Sequence, residues 1–231
     1  MSLLLQIQTV PDSLTNPEIT EKTLSVVDLI TSGGIGGNLV MGALGILSIF
    51  AIYILIERFS AIKKASKEDE NFLKSIQNFV EAKDIEAAKK LCRNTDSPIS
   101  RMIEKGVNRI NKPMTDISAA IENQGKLEVF KMENNLANLA TISGAAPMIG
   151  FLGTVIGMIV AFHEMASAGG NIDVEMLSKG IYTAMTTTVA GLIVGIIAFI
   201  AYNYLVSKVD KVVFMLEAKT TEFLDLLHHN E

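Results

Sequence analysis

Leu39–Ile56 reads LVMGALGILSIFAIYILI and carries no charge. It is the densest part of a window with no Asp, Glu, Lys or Arg that opens after Asp28 and closes at Glu57. Two more such windows follow, between Glu133 and Glu164 and between Lys179 and Lys208. They are 28, 30 and 28 residues long, and a spanning helix needs about 20. Backbone polar groups in hydrocarbon must be satisfied internally, which a helix does within its own segment. The pattern predicts an all-α integral membrane protein with three transmembrane helices. The competing reading, buried helices of a soluble core, does not account for three windows of this length in 231 residues.

The bulk numbers agree: 49% of residues are hydrophobic and the mean hydropathy is +0.36. A net charge of −5 lacks the concentrated basic face of a nucleic-acid partner. The one cysteine, Cys92, excludes an internal disulfide framework and a cysteine zinc site. His163 sits at the outer end of the second window, and His228 and His229 lie at the C-terminal end. No zinc-protease, nucleophile-elbow or phosphate-loop motif occurs. The reading is therefore no enzyme, no cofactor and no metal. The apolar start, Met1–Val10, has no Lys or Arg before it and is expected to be retained rather than cleaved as a signal peptide.

Orientation follows from the cations. Fifteen of the twenty Lys and Arg fall between Glu57 and Asn138, and Lys208, Lys211 and Lys219 follow the last window. Lys22 and Lys179 are the remaining two. The positive-inside rule places the large segment and the C-terminus in the cytoplasm. The predicted layout is a periplasmic segment 1–38, a first span 39–56, a cytoplasmic helical domain 57–138, a second span 139–162, a periplasmic loop 163–179, a third span 180–207 and a cytoplasmic C-terminal helix 208–231.

Within segment 1–38, Ile19 to Ile30 has the spacing of an amphipathic surface helix, with an ordinary linker as the alternative, and the glycine run Gly33–Gly37 reads as a turn. In the cytoplasmic segment Asp84 is a candidate N-cap. Ser97-Pro98 is an N-cap and N1 pair for a helix through Ile99, Met102, Ile103, Val107 and Ile110. From Met114 to Phe162 the periodicity is helical, which predicts one rod of about 75 Å at ~1.5 Å per residue. Val209, Val212, Val213, Leu216, Thr220, Phe223 and Leu227 step by three and four and extend the third span inward as an amphipathic helix. Spans two and three thus continue into a cytoplasmic helical bundle.

The second span carries Pro147, Gly150, Thr154, Gly157 and Ala161 on one face; the third carries Ala184, Thr188, Gly191, Gly195 and Ala198. Such small seams let helices associate closely in lipid, and they are expected to pack between neighbouring copies around a central lumen. Thr183, Thr186, Thr187 and Thr188 cannot share one face. Each could return to its own i−4 carbonyl or could line a polar path. Thr154, Thr188, Thr183 and Thr187 are the candidates for the path. No ionisable residue lies inside any span, so a proton relay requires one from another subunit.

Ala146-Pro147-Met148-Ile149-Gly150-Phe151-Leu152-Gly153-Thr154-Val155-Ile156-Gly157-Met158 resembles the A-P-x-x-G-x-x-G-T-V-x-G signature of the ExbB/TolQ/MotA family. Gly180-Ile181, Thr187-Thr188-Val189-Ala190-Gly191-Leu192 and Tyr202-Asn203 add to the likeness. MotA-like members typically have four spans, so three favour the ExbB/TolQ branch. The resemblance implies a homopentamer in a bacterial inner membrane, with its second and third spans around single-span ExbD- or TolR-like partners whose Asp carries the proton. It implies work delivered through a TonB-like protein to outer-membrane transport. Thr154 and Thr188 match the family's pore-facing hydroxyls. Where many relatives have Glu, three residues after the glycine opening span three, this chain has Thr183, which shifts the ionisable role to the partner. A TolQ-like envelope system, a motility motor, and a passive membrane scaffold without ion flux are the alternatives. The resemblance implies a proton-driven motor, powered by the proton motive force.

Overall fold

The computed structural model describes residues 34–66, 70–167 and 174–229, and all of its regular structure is helical. The expected surface helix at Ile19–Ile30 and the reading of the N-terminus lie outside these residues. The described residues form seven helices in order: α1 Gly34–Ala65, α2 Glu70–Glu81, α3 Ile85–Asn94, α4 Pro98–Val107, α5 Met114–Glu133, α6 Leu136–Ser167 and α7 Val174–His229. Among the described residues three stretches are long and apolar enough to cross a bilayer: Gly36–Ala65, Met114–Ser167 and Leu177–His228. The chain is a multi-pass membrane protein, and the regular structure of its described residues is helical.

Direction alternates through the three long helices. Near one end, Gly36 of α1 lies against Ile156 of α6, and Gly180 of α7 against Ala161 of α6. At the other end Arg58 of α1 reaches the carbonyl of Lys131, and Phe59 stacks on Tyr204 of α7. So α1 and α7 run parallel, with α6 antiparallel to both. The most extensive contact is between α6 and α7. Ile46, Ile49, Phe151, Ile159, Ile196 and Ile200 project outward from the apolar zone. In water such a surface would drive aggregation; in a membrane it is the solvated face.

The 56 residues of α7 give a rod of about 84 Å, and its lower half organises a second, polar tier. Val209, Val212, Leu216, Phe223 and Leu227 are buried there, with Ile103 and Val107 of α4 and Ile117 and Ile121 of α5. The core runs without interruption from this tier into the spans through Leu205, Leu139 and Ile54. Local signals build the small helices. Asp84 caps α3, its carboxylate accepting from the N–H of Ala87 at 3.0 Å. Ser97 and Ser100 form a reciprocal capping box on α4 with Pro98 behind the cap.

Three details differ from the sequence reading. The glycine run is not a turn: Gly34–Gly37 is the first turn of α1, where the absent side chains admit Ile156 and Thr183. The helix through Ile99 ends at Val107, before Ile110. The rod from Met114 to Phe162 is broken. Asn134 is extended (φ −52°, ψ 138°) and Asn135 is left-handed (φ 64°), a conformation asparagine tolerates better than most residues. The break frees carbonyls of the last turn of α5. Arg58 donates to one of them, Lys131 O, at 2.8 Å, while Glu57 pairs with the same guanidinium.

Candidate functional site at the contact of the second and third spans

Pro147 lies inside α6, and its ring nitrogen cannot donate to the carbonyl of Ser143. Gly195 of α7 packs against this point: a β-carbon there would stand 2.6 Å from Pro147 Cγ and 3.1 Å from Ser143 O. One turn up the interface is closest. A β-carbon on Gly150 would be 2.7 Å from Thr187 O, and one on Gly191 would be 2.9 Å from Gly150 Cα. Further out, Gly157 meets Ala184 and Ala161 meets Gly180. Ala198 is buried at the end nearer the polar tier. The two small seams therefore close on each other within a single chain, correcting the expectation that they pack between copies. Because glycines meet glycines, the backbones approach until no second helix can enter the seam.

Close approach brings hydroxyls onto carbonyls. Thr187 is only 2% exposed, and its Oγ1 lies 2.7 Å from Ala184 O and 3.1 Å from Gly150 O. Thr188 Oγ1 lies 3.1 Å from the same Gly150 O. It also stands 3.2 Å from Thr154 Oγ1, which is 2.6 Å from Phe151 O. Each hydroxyl has one proton and two acceptor sites. Thr154 and Thr188 therefore cannot both donate to carbonyls and still share a proton across their 3.2 Å contact. Two hydrogen arrangements fit the same heavy atoms, with the shared bond pointing either way. Both residues are half-buried, and Thr154 edges a shallow apolar concavity formed with Phe151, Val155, Met158, Ile159 and Phe162.

The four candidate threonines thus separate. Thr154 and Thr188 meet each other at the open edge of the α6–α7 contact. Thr187 is sealed inside and cannot line an open path, a correction to its grouping with the pore candidates. Thr183 lies beside Gly37 of α1 and donates to the carbonyl of Lys179 in its own helix at 2.7 Å; it does not join the pair. Thr186 likewise returns to Tyr182 O at 3.0 Å. Sequence spacing put Thr154 and Thr188 on the small faces but gave Thr187 no distinct place. The signal that separates it is position: Thr187 falls between Ala184 and Gly191 on the seam, as Gly150 does between Pro147 and Gly157.

Among the described residues no cluster of His, Cys, Asp or Glu could hold a metal ion. The strongest electrostatic feature is in the polar tier. Glu128 is 2% exposed, and its carboxylate accepts from Arg101 Nη2 at 2.7 Å, Gln124 Nε2 at 2.8 Å and Lys131 Nζ at 2.9 Å. Burial alone would raise its pKa, but hydrogen bonds and charge from Arg101 and Lys131 outweigh it and hold the carboxyl below its usual range. Sequence periodicity gave no sign of this group, since an acid on a core face is not expected without its partners.

The model of the MotA/TolQ/ExbB proton channel family matches residues 94–218, which include Pro147, Thr154, Thr187 and Thr188. A putative biopolymer transport protein ExbB homolog of Methanothermobacter thermautotrophicus is 26% identical over 80% of this chain and 64% of its own length. The biopolymer transport protein ExbB of Helicobacter pylori is 40% identical over 34% of this chain and 54% of its own length. The Tol-Pal system protein TolQ of Pseudomonas aeruginosa is 24% identical over 92% and 96% respectively. The chain thus spans between half and two thirds of the first two relatives and nearly all of the third. With a family match across more than half its length, over the contact that carries the hydroxyl pair, this chain belongs to the MotA/TolQ/ExbB proton channel family.

Proposed function

We propose that this chain is the multi-span subunit of an ion-driven motor of the ExbB/TolQ type in a bacterial inner membrane. The observation that carries the reading is the Thr154–Thr188 pair at 3.2 Å. It is a hydroxyl pair whose shared hydrogen bond can point either way, at the open edge of a contact whose other hydroxyl, Thr187, is sealed. Spans without Asp, Glu, Lys or Arg cannot themselves carry a proton. A partner helix bearing a carboxyl, seated beside Thr154 and Thr188, completes the path. The pair as it stands can accept from the protonated carboxyl, and a hydroxyl that releases its backbone carbonyl can donate to the ionised one. Copies of this chain enclose the partner spans as a homopentamer, with segment 57–138 and the C-terminus in the cytoplasm. The partner is ExbD- or TolR-like, and the work passes to a TonB-like protein for outer-membrane transport. A TolQ-like role in envelope maintenance is the second reading, favoured by the near full-length match to a TolQ protein.

The test is co-expression with a single-span, Asp-bearing partner encoded beside it. Native mass spectrometry of the extracted complex is expected to show a homopentamer holding partner chains, with ion-dependent transport lost on Asp→Asn in the partner. A stable monomer without a partner overturns the reading in favour of a passive scaffold. Substrate uptake against envelope integrity in the deletion strain separates the ExbB-like from the TolQ-like role.

A further inference from the structure

Where the first and third spans leave the apolar zone, α1 and α7 build a small amphipathic cleft that the ion path does not use. Phe59 and Tyr204 form its walls, with ring centroids 6.3 Å apart and planes 25° from parallel. Ile62 and Leu205 make a buried apolar floor. Lys63, Lys208 and Lys211 stand around the rim of a cavity of about 260 Å³. Lys208 Nζ lies 5.4 Å from the centre of the Tyr204 ring.

The position of the cleft decides its ligand. Lys208 is the first charged residue after the third uncharged window, and Lys63 follows the end of the first by under two turns. Aromatic side chains and lysines at this depth sit among lipid headgroups, with lysine stems lying along apolar surface. Above the cleft, Tyr53 and Ile56 of α1 and Phe199 and Ile200 of α7 are exposed and apolar, a surface suited to acyl chains. Among the described residues no carboxylate is ion-paired with Lys63, Lys208 or Lys211, whereas neighbouring Lys64 is held by Asp96 at 2.6 Å. Three ammonium groups with no ion-paired carboxylate among the described residues, set around an apolar floor, match an anion attached to a hydrocarbon.

We propose that the cleft between α1 and α7 binds the headgroup of an anionic phospholipid. Lys63, Lys208 and Lys211 hold the phosphate, and the glycerol and upper acyl chain lie on Phe59 and Tyr204. A free phosphate ion shares the lysine chemistry but leaves the aromatic walls and the ridge above them unused. Bound lipid clips α1 to α7 at the level where the spans meet the polar tier.

The full chain, purified in a mild neutral detergent and stripped of lipid, is mixed with dioleoyl phosphatidylglycerol, dioleoyl phosphatidylcholine or inorganic phosphate, and adducts are counted by native mass spectrometry. Phosphatidylglycerol is expected to be retained at concentrations where phosphatidylcholine is not. Each lysine near an anionic headgroup is worth a factor of about five, so K63Q/K208Q/K211Q is expected to weaken binding about a hundredfold. K63R/K208R/K211R keeps the charges and is expected to retain the lipid, which separates loss of the site from loss of the fold. Phe59→Ala with Tyr204→Ala is expected to reduce lipid binding. Equal retention of the two lipids, or unchanged binding by the glutamine variant, overturns the site. Displacement of phosphatidylglycerol by millimolar phosphate, with binding indifferent to the aromatic walls, assigns the lysines to a free anion and overturns the lipid.

Discussion

Thr154 and Thr188, on antiparallel helices, bring their hydroxyl oxygens to 3.2 Å at the rim of a contact whose interior is glycine, alanine, proline and the sealed Thr187. Valine keeps the shape of threonine without the oxygen. Thr154→Val and Thr188→Val are expected to leave complex yield nearly unchanged, because both sites are only half-buried. They are expected to depress ion-dependent transport, and Thr→Ser to restore most of it. Thr187→Val is the counterpart: its hydroxyl is sealed inside, so the loss falls on stability, about 0.5–1.5 kcal/mol, with transport per folded complex preserved. Transport and yield measured side by side distinguish these outcomes. Full activity in the T154V/T188V double variant removes the pair from the ion path.

Gly191 and Gly150 set the spacing on which that pair depends. A methyl group on Gly191 would stand 2.5 Å from Ala146 O and 2.9 Å from Gly150 Cα, both backbone atoms with no rotamer to yield. Gly191→Ala is expected to cost about 1–3 kcal/mol by overpacking and Gly191→Leu to abolish folded yield. At Gly42 and Gly45 of α1 an added methyl meets nothing within 4 Å. Gly42→Ala and Gly45→Ala are expected to fold as well as the parent or better, since alanine is the stronger helix former. Thermal denaturation in detergent ranks the three alanine variants, and folded yield reads Gly191→Leu.

The three spans and their seams were legible because lipid imposes a simple rule: long uncharged windows become helices, and small residues mark where helices touch. Asp84, Ser97 and Pro98 were legible as helix starts because capping is local chemistry. What the seam touches was not legible. A stripe of small residues specifies close approach without specifying a partner, and here α6 and α7 of one chain satisfy each other. The break at Asn134–Asn135 was hidden because periodicity tolerates a two-residue interruption, although adjacent asparagines are weak helix formers. Arg58 then occupies a carbonyl that the break releases, and Glu128 draws on Arg101 27 residues away. Both depend on tertiary neighbours that no local pattern announces.

Glu128 gives the polar tier a pH dependence whose sign follows from its partners. Arg101 and Lys131 depress its pKa in the folded chain below the ordinary 4.5. Its contribution to stability is therefore fully present above the unfolded value and is lost as pH falls through the folded one. Glu128→Gln keeps the shape but removes the charge that faces Arg101 and Lys131. It is expected to destabilise the protein by about 1–3 kcal/mol at neutral pH and to flatten the acid limb of a plot of Tm against pH. A variant whose acid limb matches the parent's assigns that limb to other carboxylates.

Topology is testable by cysteine accessibility, but Cys92 is the wrong reporter. It is 2% exposed, and burial, with the carboxylate of Glu104 nearby, pushes its thiol up to about 12. The reactive thiolate is then scarce at neutral pH, so silence toward a maleimide reports burial rather than sidedness. Cys92→Ala provides a blank background. On it, Lys105→Cys places a thiol on the exposed face of α4, and Ser167→Cys places one at the end of α6, both at exposed positions. The lysine and arginine excess between Glu57 and Asn138 predicts that α4 faces the cytoplasm. A membrane-impermeant maleimide added to intact spheroplasts is expected to label Ser167→Cys at once and Lys105→Cys only after permeabilisation. The opposite order inverts the protein in the membrane. The Lys63–Lys208–Lys211 cleft would then lie in the outer leaflet, and the polar tier would be moved away from the cytoplasm.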